Sequence, residues 1–258
     1  MIDIHSHILP GVDDGSKTME ETVELLRIAQ DAGTTTIVAS PHSDPEYTYD
    51  PERVDELIAE AQALAGDGIK IVRGCDFHLM FANVNAAMEN PKRYTINNGP
   101  YILMELSDML IFPNTTDIWR QLENYGIRII LTHPERNLIL QSKFELIEKW
   151  VNEGFYMQVT AMSLLGMFGK KALKVATRML DKGLVHFVAS DGHDAVGRPP
   201  RLDTAFEWVR QRYGGDMAEL LFVDNPRAAI TGAYVDSFSP DSERPRPESL
   251  WSRLFHRG

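Results

Sequence analysis

The chain begins with MIDIHSHILPGVDDGS (residues 1–16), which places two histidines and three aspartates around a short apolar segment. Side chains alternate along a β-strand, so Ile2 and Ile4 share one face while Asp3, His5 and His7 share the other. Two imidazoles on one face, beside carboxylates, form a pattern that can hold a metal ion. The opening stretch therefore predicts a buried strand that carries metal ligands.

The rest of the chain alternates between strand and helix signals. Six further strands are predicted, in the segments TTTIVASPH (34–42), IKIVRGCDF (69–77), YILMEL (101–106), IRIILTHPER (127–136), FYMQVTA (155–161) and VHFVASDGH (185–193). Seven strands that alternate with helices predict a parallel α/β sheet, either a closed barrel or an open doubly wound sheet. The sequence contains neither a Gly-rich dinucleotide fingerprint after the first strand nor a P-loop.

Capping signals mark where several helices begin. Thr18 with Glu21 predicts a capping box before the first helix, and Asp50 before Pro51 predicts an N-cap before the second. A further helix is predicted over residues 114–125, and Ser142 repeats the capping-box pattern before the next one. Between the third and fourth strands the sequence shows a turn signal but no assigned helix.

The composition limits the class of protein. A chain of 258 residues, 43% of them hydrophobic, fits one large domain, predicted over residues 1–235 and followed by a polar, Pro-rich and disordered tail over residues 236–258. The single cysteine excludes a disulfide framework, and the sequence shows neither a signal-peptide pattern nor a membrane-length apolar run, so we expect a cytoplasmic protein without membrane insertion. The net charge of −11 argues against nucleic-acid binding.

Polar residues fall at the carboxyl ends of the predicted strands, which is where parallel α/β folds build their active sites. Each residue alone has an ordinary structural explanation, such as a helix cap or a satisfied loop histidine. Together they indicate a site on one rim. The candidates are His5, His7, Asp14, His42, Asp76, Glu105, His133, Asp191 and His193.

Imidazoles and carboxylates without a thiolate favour Mn, Fe or Zn over a soft metal. The set exceeds what one ion needs, so a cluster of two or three divalent ions is predicted. Arg136 and Arg198 follow rim histidines, and their guanidinium groups suit bidentate binding of phosphate oxygens. The alternative for Arg136 is a surface salt bridge with Glu135. His78, Cys75 and His186 are interpreted as structural residues.

The motifs DIHSHILPGVDDG, SPH, HPER and SDGH followed by RPP resemble the polymerase and histidinol phosphatase (PHP) superfamily. Within it, they look like the manganese-dependent protein-tyrosine phosphatases of bacterial capsule and exopolysaccharide systems. The likeness runs from Met1 to about Gly232. It implies a distorted seven-stranded (β/α) TIM-like barrel, the PHP fold, with its active site at the C-terminal ends of the strands.

The resemblance also implies how the metal ligands are divided. One metal would be held by His5, His7, Asp76 and Asp191, a second by Asp76, Glu105 and His133, and a third by Asp14, His42 and His193. Arg136 and Arg198 match the phosphate-binding arginines of the family. One position departs from the pattern, because Asp76 stands where members of the family carry the longer Glu.

The implied activity is metal-dependent hydrolysis of phosphotyrosine through in-line attack of a metal-bridging hydroxide, with manganese as the first choice of metal and Fe or Zn as substitutes. The implied partner is a phosphotyrosine protein, a bacterial tyrosine autokinase of polysaccharide export. Three alternative functions compete with this interpretation. The first is a phosphomonoesterase for histidinol phosphate or another small molecule, the second a nuclease or phosphodiesterase, and the third a catalytically inactive phosphopeptide-binding module.

Overall fold

The computed structural model describes residues 1–237. The predicted tail over residues 236–258 therefore lies, apart from its first two residues, outside the described part of the chain. Within residues 1–237, no helix combines the length and the apolar character that a membrane crossing requires.

Within the described residues, nine parallel strands form two sheets. The strands are β1 (Ile2–Ser6), β2 (Thr36–Ala39), β3 (His42–Ser43), β4 (Lys70–Arg73), β5 (Asp76–His78), β6 (Tyr101–Glu105), β7 (Arg128–Thr132), β8 (Tyr156–Thr160) and β9 (Phe187–Ala189). One sheet has the order β1-β2-β4 and the other β3-β5-β6-β7-β8-β9. All seven predicted extended segments are present as strands.

The second and third predicted strands are each divided into two short strands. Ala39 lies opposite Arg73 before the break, and His42 lies opposite Asp76 after it, so the register is unchanged. Pro41 lies inside the break and has no N–H to donate, which explains why regular pairing stops there. The unchanged register keeps His42 and Asp76 as neighbours, now on the second sheet.

The two sheets also meet at the other side. The N–H of His7 donates to the carbonyl of Gly192 at 2.8 Å, and the N–H of Asp191 donates to the carbonyl of His5 at 2.9 Å. These bonds join the end of β1 to the turn after β9, and they bring the first and last polar motifs of the chain together.

Helices connect the strands in the described part of the chain. They are α1 (Met19–Asp31), α2 (Pro51–Ala65), α3 (Phe81–Glu89), α4 (Thr115–Asn124), α5 (Leu138–Ser142), α6 (Phe144–Asn152), α7 (Ala161–Leu164), α8 (Gly169–Asp181), α9 (Asp203–Tyr213), α10 (Gly215–Glu219) and α11 (Asn225–Thr231). A π-helical turn over Leu220–Asp224 joins the last two.

The capping predictions have mixed outcomes. Thr18 caps α1 by accepting from the N–H of Glu21, but the Glu21 carboxylate accepts from Lys17 rather than from Thr18 itself. The capping box at Ser142 is wrong, because Ser142 ends α5 and its hydroxyl donates to the carbonyl of Ile139. Helix α3 was not predicted, and its N-cap makes no side-chain hydrogen bond that could have marked it.

Both faces of the sheets are buried. Successive residues of one strand belong to different apolar clusters, as Ile102 and Leu103 of β6 and Ile129 and Ile130 of β7 show. Burial on both faces is typical of parallel sheets covered by helices. It leaves the strand ends as the places where polar side chains can gather.

Candidate metal centre

The structure places all nine candidate ligands at the carboxyl edge of the sheets. Four of them belong to strands, since β1 carries His5, β3 carries His42, β5 carries Asp76 and β6 carries Glu105. The others follow strand ends or lie in the first loop: His7, Asp14, His133, Asp191 and His193. Paired strands thus fix the positions of the first four side chains directly and of most of the others through short connections.

The first group of potential ligands within residues 1–237 consists of His7, Asp14, His42 and His193. The Oδ1 atom of Asp14 lies 3.5 Å from Nε2 of His42 and 3.3 Å from Nε2 of His193. Three members, Asp14, His42 and His193, are the residues that the resemblance assigns to the third metal. His7 is the addition.

The second group consists of His5, His7 and Asp76. The Nε2 atoms of the two histidines lie only 3.1 Å apart, and Nε2 of His5 lies 3.5 Å from Oδ2 of Asp76. Two imidazole nitrogens that converge on one carboxylate oxygen at such distances are arranged as ligand atoms around a common point. Asp191, the fourth residue expected here, stays outside the group.

The third group consists of His42, Asp76 and Glu105. Nδ1 of His42 lies 3.3 Å from Oδ2 of Asp76 and 3.8 Å from Oε2 of Glu105. The resemblance implied His133 in place of His42. Nε2 of His133 lies 3.7 Å from Oε1 of Glu105, so it borders this group without belonging to it. Despite its shorter side chain, Asp76 is shared by two groups.

Unpartnered atoms support the interpretation as a metal site. Oδ2 of Asp76 and Nδ1 of His42 are buried and lie 3.3 Å apart, yet neither makes a hydrogen bond of acceptable geometry within the described residues. A buried carboxylate oxygen without a partner is costly, because burial removes its hydration. A divalent cation with nitrogen and oxygen ligands would satisfy both atoms, so the residues present fit such an ion.

One carboxylate and one amide hold two of the histidines in place. Oδ2 of Asp13 lies 2.7 Å from Nδ1 of His7, and Oε1 of Gln158 lies 2.9 Å from Nδ1 of His5. Such contacts fix the ring orientation and leave Nε2 free for a metal. The sequence patterns assigned neither residue a role. Gln158 could have been found, since it is the polar residue inside the apolar strand β8.

The carboxylates also set the charge of the imidazoles. Burial is the largest single influence on His7 and lowers its pKa, but the carboxylates of Asp13 and Asp191 together outweigh it and the pKa rises to about 9. Burial likewise opposes ionisation of Asp76, yet the neighbouring His5 and His42 hold its pKa well below the usual value. Without metal, the site is thus an array of opposite charges. Imidazoles bind metals only in the neutral form, so metal binding would displace these protons.

Asp191 links the ligands to the two arginines. Its Oδ1 lies 3.4 Å from Nε2 of His7, whereas its Oδ2 accepts hydrogen bonds from both Arg136 and Arg198. The alternative salt bridge between Arg136 and Glu135 is not formed. The Glu135 carboxylate instead accepts from the backbone of Thr160 and the hydroxyl of Ser163.

Backbone geometry is unusual at two site residues. His133 has φ of 34° and Asp191 has φ of 53°, in the left-handed region that non-glycine residues rarely adopt. Such conformations cost free energy and persist where the surrounding structure enforces them. His133 follows β7 directly and Asp191 lies two residues after β9, so both unusual conformations occur where the chain leaves a strand.

A cavity of about 230 Å³ opens beside the ligands, and its lining includes Glu105, His133 and Arg136. His78 also lines it, with Nδ1 3.4 Å from Oε2 of Glu105, so this residue contacts the site as well as the rim. Cys75 is buried and burial raises the pKa of its thiol, in keeping with a structural role.

Comparisons with known proteins agree with this geometry. The family described as "Capsular polysaccharide synthesis, CpsB/CapC" matches residues 1–231. CapC of Staphylococcus aureus is 35% identical over 210 residues, which cover 80% of this chain and 82% of that protein. Tyrosine-protein phosphatase CpsB of Streptococcus pneumoniae is 31% identical over 244 residues, which cover 91% of this chain and 100% of that protein.

A solved structure of metal-dependent tyrosine phosphatases is also similar to this chain. It belongs to a study of YwqE from Bacillus subtilis and CpsB from Streptococcus pneumoniae, described as unique metal-dependent tyrosine phosphatases. It superposes with a TM-score of 0.85 at 27% identity, over 93% of this chain and 98% of that one. A phosphotriesterase homology protein from Escherichia coli shares the fold at 12% identity, with a TM-score of 0.59 over 89% of this chain and 98% of that one.

Proposed function

The chain belongs to the CpsB/CapC family, and we propose that it is a metal-dependent protein-tyrosine phosphatase. The observation that carries the proposal is that two arginines meet on Asp191 beside three overlapping ligand groups. Glu105 of these groups and Arg136 also line the adjoining cavity. The names of the relatives favour this activity over the small-molecule alternative, histidinol-phosphate hydrolysis.

Nine residues are proposed as ligands for two or three divalent ions, with manganese as the first choice. They are His5, His7, Asp14, His42, Asp76, Glu105, His133, Asp191 and His193. Their support is the convergence of nitrogen and oxygen atoms and the unpartnered Oδ2 of Asp76. When bound, divalent ions supply Lewis acidity, which lowers the pKa of coordinated water and offsets charge on a phosphoryl group.

Arg136 and Arg198 are proposed to bind the phosphate. Their guanidinium groups already converge on a single carboxylate oxygen of Asp191, so both reach one anionic point beside the ligands. A phosphoryl group at the cavity would offer them the same kind of acceptor with more oxygens. Their positive charge would then stabilise the charge that develops on the equatorial oxygens during in-line displacement.

The finer features of the fold and the partner are also proposals. The hydrogen bonds from His7 to Gly192 and from Asp191 to His5, together with the constant register across the strand breaks, support a closed, distorted seven-stranded barrel. The description of the family, capsular polysaccharide synthesis, supports a phosphotyrosine protein of that system, a tyrosine autokinase, as the partner.

The test compares hydrolysis of a phosphotyrosine peptide and a matched phosphoserine peptide, with Mn²⁺ or with EDTA. We expect metal-dependent turnover of the phosphotyrosine peptide, reduced by about 100-fold or more in Arg136→Ala because a charge-stabilising donor is lost. Arg53→Ala removes an exposed arginine of α2 and serves as the matched control. Turnover of histidinol phosphate without turnover of either peptide would favour the small-molecule activity instead.

A further inference from the structure

A path of positive charge leads away from the metal centre. The cavity beside the ligands shares Arg136 with a second cavity of about 380 Å³, which Lys170 and Lys171 also line. The second shares Lys171 with a third of about 420 Å³, lined in addition by Lys174 and Arg178. The second and third cavities together, between α5 and α8, are called the basic groove below.

The positive charge of the three lysines in the basic groove, Lys170, Lys171 and Lys174, is not neutralised by any described carboxylate. No carboxylate lines either of its cavities, and none of its three lysines forms an ion pair within residues 1–237. The whole chain nevertheless carries a net charge of −11. A cluster of exposed, unpaired cations is therefore a local property of this face.

The spacing of these cations is unfavourable for the helix itself. Lys170 and Lys174 are four residues apart on α8, and Lys174 and Arg178 are again four apart. Like charges at this spacing repel each other and weaken a helix. Of these groups Arg178 packs over the ring of Phe144, whereas the lysines are exposed. The arrangement suits an anionic partner better than it suits the isolated helix.

The opposite end of the sheet order has the opposite charge. Asp44 and Glu46 lie in the loop that follows β3, at one end of the six-stranded sheet, whereas α8 follows β8 near the other end. The metal centre lies between the loop after β3 and helix α8. An extended polypeptide across the centre would thus meet cations on one side and carboxylates on the other.

We propose that the basic groove binds carboxylate side chains of the substrate polypeptide that flank the target phosphotyrosine on one side. The proposal rests on the proposed function, and it specifies the substrate as an acidic phosphotyrosine segment. With the phosphate at Arg136, the adjoining residues of an extended peptide enter the second cavity, which shares that arginine. Their carboxylates there contact Lys170 and Lys171.

The experiment uses the full chain and three phosphotyrosine peptides. One has glutamates on the N-terminal side of the phosphotyrosine, one has them on the C-terminal side, and one has glutamines throughout. We expect one acidic peptide to exceed the neutral one by about three- to tenfold in kcat/KM at low salt, an advantage that screening removes at high salt. Binding of the same peptides is measured separately by fluorescence anisotropy with EDTA.

Lys170→Gln/Lys171→Gln is expected to abolish the preference in both assays while turnover of the neutral peptide is unchanged. Lys70→Gln/Lys92→Gln removes the same charge from exposed positions that line neither cavity of the groove, and it should keep the preference. Equal use of all peptides, or loss of the preference in the control, would overturn the proposal. Selective binding without turnover of any peptide would support the groove and refute the phosphatase activity.

Discussion

Two buried histidines at opposite edges of the sheets show what distinguishes a reactive region from a structural one. His7 at the carboxyl edge is 1% exposed and His186 at the amino edge is 2% exposed. The carboxylates of Asp13 and Asp191 overcome the effect of burial and raise the pKa of His7 to about 9, whereas burial without a neighbouring carboxylate lowers the pKa of His186 to about 4. At neutral pH His7 is therefore charged, whereas His186 is neutral.

The two edges also differ in how their polar atoms are satisfied. Nδ1 of His186 accepts from the N–H of Met157, and Asn225 donates to the carbonyl of His186, so the amino edge is closed by ordinary hydrogen bonds. At the carboxyl edge, Oδ2 of Asp76 and Nδ1 of His42 remain without such partners. A histidine thus indicates a reactive site only when its neighbours are charged and incompletely satisfied.

The largest effect is expected at the shared carboxylate. Asp76→Asn removes the charge that two of the three ligand groups have in common, so metal content and kcat/KM should both fall, the latter by about 100-fold or more. Metal analysis and phosphotyrosine turnover measure these changes, and circular dichroism checks the fold. The matched control is Asp55→Asn, an exposed carboxylate of α2 paired with Arg73. If Asp76→Asn kept its full metal content, the carboxyl edge would have only a structural role, like the amino edge.

A smaller effect is expected at Asp13, the carboxylate that contacts Nδ1 of the ligand His7. Asp13→Asn keeps an acceptor near His7 but removes the negative charge, so the affinity for Mn²⁺ should fall by about 10- to 100-fold. Since Asp13 is a positioning residue, excess Mn²⁺ should restore most of the turnover. A defect in kcat that persists at saturating metal would instead indicate that Asp13 contacts the reacting groups.

At the amino edge a substitution should change stability and leave activity nearly unchanged. Between the ordinary pKa of 6.5 and about 4, the unfolded chain binds a proton at His186 that the folded protein does not. The free energy of unfolding therefore decreases as the pH falls through this range, by about 2 kcal/mol between pH 7 and pH 5. Because His186→Asn cannot titrate, its deficit relative to the wild type should shrink by that amount.

Urea unfolding with EDTA at both pH values measures this difference, and turnover at pH 7 serves as the control for the active edge. A deficit that is the same at pH 7 and pH 5 would show that His186 is not held neutral in the folded protein. Reduced turnover in His186→Asn would contradict the division between the two edges.

Local patterns of the sequence were sufficient for most of the secondary structure. The strand segments and the helices over α1, α2 and α4 follow from hydrophobic periodicity and from caps such as Thr18 and Asp50. Helix α3 was missed because its apolar periodicity is weaker than that of α4, which also lacks a side-chain cap. Ser142 was wrongly interpreted as an N-cap because a sequence of the capping-box type can also occur at the end of a helix. Both errors arise where local signals are weak or ambiguous.

The sequence by itself determined which side chains gather, because parallel strands bring all their carboxyl ends to one edge and alternation fixes which residues face it. The tertiary structure decided which of them touch. That His42 rather than His133 joins Asp76 and Glu105, and that both arginines meet on Asp191, depends on contacts between residues far apart in the chain. The physical reason is that spacing along a strand sets direction, whereas ångström-scale distances between strands depend on how the sheets twist, break and pack.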